Sequence, residues 1–212
     1  DTAQAIGAHY TLNGEVRGAG TMGHFGTTSF FPSKNLGCYG DGGAIFTNDD
    51  DLAEKARMIC NHGQKKKYFH SVVGVNSRLD TIQAAILDVK LKYLDEYNTA
   101  RQQVADRYDE AFANHPALEI PLRDSKSTHV FHQYTLKIND LDRDALKQHL
   151  ADNGIPSMVY YPVPLNEQEA YKGVGNFPVT DDLCTRVLSL PMSTELTINQ
   201  QQKVIETLLN FA

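Results

Sequence analysis

Lys34 stands just past a short apolar run, Thr28-Ser29-Phe30-Phe31, that Pro32 ends, and just ahead of the closely spaced glycines Gly37, Gly40, Gly42 and Gly43. A buried strand fixes where the next residues lie, and glycines let backbone approach a bulky ligand. A lysine held there suits amine chemistry. Burial beside other positive charge favours its neutral form, and only the neutral amine forms a Schiff base with a carbonyl. Taken alone, a loop lysine is ordinarily solvated. Other residues also carry a plain reading. Asp1 and Gln4 read as a helix N-cap and its capping-box partner, Ser29 as a strand serine, and Asn76 as a helix N-cap. Arg78 reads either as a helix-surface salt bridge or, through its planar fork, as a partner for an anionic group. Tyr161, in the turn before Pro162, reads either as a packed strand tyrosine or as a donor to a ligand hydroxyl.

The eight histidines show no ligand spacing, and only His62, in Asn61-His62-Gly63, sits in a loop that suits a substrate. The three cysteines, Cys38, Cys60 and Cys184, form no CxxC pair, so neither a disulfide framework nor a metal site is expected and a reducing cytoplasm fits. The formal net charge of −6 argues against nucleic acid as the main partner, and Lys65-Lys66-Lys67 is a short, solvated cluster. No apolar run is long enough to cross a membrane. With 41% hydrophobic and 22% charged residues, the composition is that of an ordinary globular protein.

These residues need elements to position them. After the Asp1 cap comes Gly-rich sequence, and Ala44-Ile45-Phe46-Thr47 reads as a second strand beyond the Gly40–Gly43 turn. Asn48 to Asp51 caps a helix with Leu52, Ala56 and Ile59 at helical spacing, and a polar loop lies between Gly63 and Gly74. A long helix is expected from Leu79, with Ile82, Ile86, Val89 and Tyr93 on one face, continuing past Val104 and Tyr108 until Pro116 and Pro121 break it. Val130–Ile138 alternates as a half-buried strand, and a helix from about Asp142 to Asn153 stops at Gly154. A strand at Ile155–Tyr161 and helices near Asp181–Leu188 and Ile198–Phe211 complete the pattern. The expected class is α/β: an incomplete large α/β domain over residues 1–100 with its linking helix, then a small α+β domain over 101–212. The chain opens at Asp1 with no initiator Met, at an element boundary, and two or three strands make no independent sheet core, so a preceding part is expected.

Five blocks in order resemble the DegT/DnrJ/StrS family of sugar aminotransferases, which have the fold-type I architecture and depend on pyridoxal phosphate. Ser29-Phe30-Phe31-Pro32-Ser33-Lys34, followed by Gly40-Asp41-Gly42-Gly43, is similar to the family's cofactor-lysine segment. Asp1 to Ala8 resembles its Asp-x-Ala-Gln/His block, and Gly74 to Asp80 its Gly-x-Asn-x-Arg segment. Tyr161-Pro162-Val163-Pro164-Leu165 and Leu188-Ser189-Leu190-Pro191-Met192 resemble its C-terminal blocks. The resemblance implies that Lys34 is the Schiff-base lysine and proton carrier, and that Asp1 keeps the pyridine nitrogen protonated. It further implies that Gln4 lies against the ring or its phenolic oxygen and that Ser29 contacts the phosphate. Asn76 would reach the phosphate from the neighbouring subunit, which makes the site a property of a homodimer.

The reaction so implied takes an amino group from glutamate, leaving 2-oxoglutarate, and gives it to a nucleotide-linked keto-sugar. The 3-keto sugar is expected, with the 4-keto isomer as the alternative. Arg78, Tyr160 and Tyr161 are the implied substrate contacts. Tyr160 stands where relatives acting on uronic-acid sugars often carry histidine, which puts a uronic acid substrate in doubt. A same-fold sugar dehydratase would replace the lysine by histidine, so Lys34 argues against it. A non-catalytic relative would show decay among Asp1, Gln4, Ser29, Lys34 and Asn76, and all are present.

Overall fold

The computed structural model describes residues 1–211, and the chain divides into two compact units, Asp1–Thr99 with Arg123–His132, and Ala100–Leu122 with Gln133–Ala212. The first unit opens on turns, not on a helix. Asp1 Oδ1 accepts from the Ala3 N–H at 2.7 Å, as a cap would, but Thr2 N–H is committed to Thr27 O at 2.6 Å and Gly7, at φ 85°, ends the turn series. The expected helix therefore has no room to propagate, and no capping-box bond from Gln4 forms among the described residues.

The Gly-rich stretch contains a hairpin, β1 (His9–Leu12) against β2 (Glu15–Gly18). Its two-residue turn is Asn13-Gly14 with φ 52° and 84°, the primed geometry that matches strand twist. The strand expected over Thr28–Phe31 lies earlier, as β3 (Gly26–Ser29), because the chain turns into the lysine loop at Phe30 and Phe31. It pairs antiparallel with the second expected strand, β4 (Gly43–Phe46), and Ser29 faces Gly43. Helix α1 (Asp50–Cys60) is capped by Asp49 Oδ1 on the Leu52 N–H, yet none of its residues is buried. The loop between Gly63 and Gly74 contains a short hairpin, β5 (Gln64–Lys66) with β6 (Phe69–His70).

The single long helix is two. Helix α2 (Thr81–Leu91) has Asp80 at its N-cap, and α3 (Leu94–Phe112) follows after a two-residue turn. The stripe read as a core face is largely open, with Ile82 74% and Val89 57% exposed, whereas Leu87 and Leu94 are buried. Those two join Phe30, Leu36 and Cys38 in the unit's core cluster.

In the second unit, β7 (Leu118–Glu119), β8 (Tyr134–Ile138) and β9 (Val187–Leu190) form an antiparallel sheet in that order. The expected strand from Val130 starts only at Tyr134, because Phe131 at φ 45° cannot continue a ladder. Helix α4 (Arg143–Asp152) begins at the Asp142 cap and stops before Gly154, at φ 72°. No strand forms at 155–161, where Pro156 and Pro162 lack N–H donors and one bridge, Met158 to Ser189, remains. Helix α5 (Pro178–Arg186) ends early and passes into β9, all of it buried, while α6 (Ile198–Leu209) starts on a Thr197/Gln200 capping box. Tyr108, Phe112 and Tyr134 stack at the centre of this unit, and Gln201 Nε2 donates to Val104 O at 2.7 Å.

Candidate active site

Lys34 lies in the loop that joins β3 to β4. The loop is folded on itself: Phe30 N–H donates to Gly42 O and Cys38 N–H to Phe30 O, both at 2.8 Å, and Lys34 N–H donates to Phe31 O at 2.9 Å. The buried Cys38 thiol, with one proton to share, lies 3.0 Å from Phe30 O and 2.9 Å from Gly40 O. Of the four glycines after Lys34, Gly37 and Gly43 admit backbone, while Gly40 and Gly42 admit side chains of Gln83 and Leu79. A Cβ at Gly37 would overlap the carbonyl of Pro32 and lie 2.8 Å from that of Phe31, and one at Gly43 would lie 2.7 Å from Thr28 O. Within this loop Asn35, Leu36 and Cys38 are buried and Lys34 is half-buried. Among the described residues, the Lys34 amine has no hydrogen-bond or ion-pair partner.

Helix α2 braces the same loop. Lys90 Nζ donates to Gly37 O at 2.5 Å and lies 5.4 Å from the centre of the Tyr39 ring, while Gln83 Oε1 accepts the Tyr39 N–H at 2.8 Å. A second ammonium therefore sits on the lysine loop. Neither Gln83 nor Lys90 carries a sequence signal for this, since each reads as an exposed helix residue. Asn35 was likewise silent: it is buried, and its amide donates to Asn98 Oδ1 at 2.8 Å and Val130 O at 3.1 Å.

The Asp1 turn is tied to β3. Thr2 contributes its N–H and hydroxyl to Thr27 O and accepts from the Thr28 hydroxyl at 3.3 Å. Gln4 is exposed and lines a cavity of about 220 Å³ with His129 and Thr128. Ser29, at the end of β3, accepts the Phe31 N–H on its hydroxyl oxygen at 3.2 Å. The hairpin thus collects Asp1, Ser29 and Lys34 on connected backbone.

Asn76 and Arg78 lie elsewhere in the first unit. Asn76 pairs with Asn61 beyond the end of α1, so it is not a helix cap, and its Oδ1 accepts from Arg78 Nε at 3.1 Å. Both are exposed, and among the described residues Arg78 forms no ion pair. His62, at φ 61°, is also exposed, and its carbonyl meets His70 Nδ1 at 2.7 Å. Tyr160 and Tyr161 belong to the second unit, 39% and 66% exposed, so Tyr161 is not a packed core tyrosine.

The segment 123–132 carries a further titratable group. His129 Nδ1 accepts the Phe131 N–H at 2.9 Å, and burial, then the Arg123 guanidinium, push its pKa below the ordinary 6.5. Among the described residues no His, Cys, Asp and Glu cluster suits a metal ion, and no helix is long and apolar enough to cross a membrane.

Comparison with known proteins fits this arrangement. A "Pleiotropic regulatory protein" of Geobacillus stearothermophilus is 46% identical over all of this chain, which spans 57% of that protein's length. UDP-2-acetamido-2-deoxy-3-oxo-D-glucuronate aminotransferase of Pseudomonas aeruginosa is 45% identical over 91% of the chain and 52% of its own length. Among solved structures, S. venezuelae DesV in complex with a ketimine intermediate superposes with a TM-score of 0.92 at 39% identity, covering 99% of this chain and 56% of that one. The chain therefore spans a little over half of the relatives it matches, and the family's sequence pattern matches residues 1–209. This chain belongs to the DegT/DnrJ/EryC1/StrS aminotransferase family.

Proposed function

We propose that this chain is the Schiff-base half of a pyridoxal-phosphate-dependent aminotransferase that transfers an amino group from glutamate to a nucleotide-linked 3-keto sugar. One observation carries the reading: the half-buried Lys34 amine, without a partner among the described residues, on a loop whose every other contact fixes it in place. The residues fit the cofactor. Asp1 commits only one carboxylate oxygen, to a backbone N–H, and the Ser29 oxygen accepts a bond, which leaves its proton for an anionic oxygen.

When bound, pyridoxal phosphate supplies an aldehyde for an amine to condense with and a ring that accepts electrons. Lys34 Nζ would be the amine that holds the group, and as a free amine it would be the base that carries a proton at the reacting carbon. The Asp1 carboxylate would keep a proton on the ring nitrogen, and Gln4 would lie against the ring or its phenolic oxygen. Ser29 donates to the phosphate, and Asn76 reaches it from a neighbouring copy. The exposed Val75, Leu79 and Ile82 around Asn76 support a homodimer, since single-chain surfaces seldom leave such residues together. In this reading the first unit is the later part of a large cofactor domain and the second the small domain, in a cytoplasmic enzyme whose thiols stay free.

The substrate assignment draws on the relative from P. aeruginosa, whose substrate is a 3-oxo sugar. Arg78, with its terminal nitrogens open, offers a fork for a phosphate or carboxylate, and Tyr160 and Tyr161 offer hydroxyls for the sugar. The test runs the full-length protein in reverse, with 2-oxoglutarate and 3-amino or 4-amino nucleotide sugars, with and without a C-6 carboxylate. Faster conversion of the 3-amino compounds is expected; faster conversion of the 4-amino compounds overturns the C-3 assignment. A regulatory relative without turnover is the second reading, suggested by the name of the G. stearothermophilus protein. A cofactor spectrum unchanged by glutamate would favour it.

A further inference from the structure

Two buried amides lie end to end beneath the lysine loop. Asn98, on α3, donates through Nδ2 to Ile6 O at 3.1 Å, and its Oδ1 accepts from Asn35 Nδ2 at 2.8 Å. Asn35 Nδ2 also donates to Val130 O at 3.1 Å, and its Oδ1 lies 3.2 Å from His132 Nδ1. The two side chains belong to residues only 6% and 5% exposed. Their orientation is determined by chemistry. Turning the Asn98 amide over would set its oxygen against the Ile6 carbonyl and its NH2 against the NH2 of Asn35. A buried amide that loses its partner is strongly penalised, so the chain of bonds has one arrangement.

The ends of this chain matter. Ile6 lies in the Asp1–Gly7 turn, and Asn35 follows Lys34 directly. The turn is otherwise held at its start, where Thr2 bonds to Thr27 O. At its far end Gly7, at φ 85°, approaches the Asn98 amide so closely that a Cβ there would overlap Nδ2. We infer that Asn98 and Asn35 are positioning residues that set the Lys34 amine in register with the Asp1 carboxylate; this rests on the reading of Lys34 and Asp1 given above. A Schiff-base lysine and the acid at the opposite side of a ring must keep a fixed separation, and errors of about 1 Å at such positions lower rates by roughly a hundredfold.

The test uses the full-length protein reconstituted with pyridoxal phosphate. Asn98→Asp keeps the shape and the acceptor for Asn35 but turns an acceptor toward Ile6 O. Leu94→Ala, in the core cluster that holds Leu36 and packs against Ile6, is the control for lost packing with the amide bonds kept. Asn98→Asp should melt cooperatively, yet develop the cofactor's visible band about tenfold more slowly, with the pH midpoint of that band displaced by roughly half a unit or more. Leu94→Ala should lower the melting temperature at least as much and leave the midpoint in place. Asn35→Asp, which removes the donors to Asn98 and Val130, should repeat the Asn98 result. A midpoint and rate unchanged in Asn98→Asp, or displaced equally by Leu94→Ala, overturns the inference. So does failure of both Asn variants to fold, which would assign the amides to stability. Wild-type protein that forms no band at Lys34 instead refutes the functional reading, and is distinguishable because it involves no variant.

Discussion

Lys34 is held by its neighbours' backbone, and the glycines after it explain how. Because Gly37 lies against the carbonyls of Phe31 and Pro32, the chain can turn back beneath the lysine only if position 37 has no side chain. Gly37→Ala should destabilise the protein by about 1–3 kcal/mol, since backbone carbonyls cannot step aside as a flexible side chain can. Thermal unfolding would measure it, with slower uptake of pyridoxal phosphate as the accompanying loss; a melting temperature equal to wild type would contradict the packing described. Lys34, Ser29 and the glycines stand out in the sequence because one segment with fixed spacing carries them, and Asp1 because it opens a second block. What the glycines do was not legible, because spacing does not distinguish approach to a ligand from approach to backbone. Asn35 and Asn98 gave no signal at all. They stand 63 positions apart, and only the folded chain makes them one network.

Elements followed local chemistry where local chemistry was sufficient. The Asp49 and Asp142 caps and the Gly154 stop set their helices as read. The β1–β2 hairpin is masked in the sequence by the glycines around it, although Asn13-Gly14 is a strong turn signal. Strand β9 was hidden in helical spacing at the end of α5, and the Phe131 backbone, which ends the expected strand early, is imposed by tertiary structure. In the segment that Phe131 closes, the His129 imidazole accepts the Phe131 N–H in the neutral form. Its folded pKa lies below the unfolded value, so the unfolded chain binds more protons in that window. The stability from this group is therefore complete above about pH 6.5 and is lost as pH falls through the folded pKa. His129→Asn keeps an acceptor for the Phe131 N–H and removes the titration. Melting temperature followed from pH 7.5 downward should fall more steeply in wild type than in His129→Asn; parallel curves would show that His129 is not the group responsible.

At the scale of the whole molecule, the chain covers a little over half the length of its relatives, and its first unit carries an 11-residue helix with no buried residue. Asn76 and Arg78 sit exposed on that unit beside open apolar residues, the disposition expected of groups that serve a neighbouring copy. Full-length Lys34→Ala mixed with Asn76→Ala should regain activity, because one site of each hybrid dimer then has both residues intact. Hybrids that form without regaining activity would confine Asn76 to its own subunit. The proposed function depends on one bond, between the Lys34 amine and the cofactor. Full-length protein treated with pyridoxal phosphate and then borohydride, digested and mapped by mass spectrometry, measures it directly. The reduced cofactor is expected on the peptide containing Lys34; label on Lys90 or Lys92 instead, or no label, would contradict the proposed function.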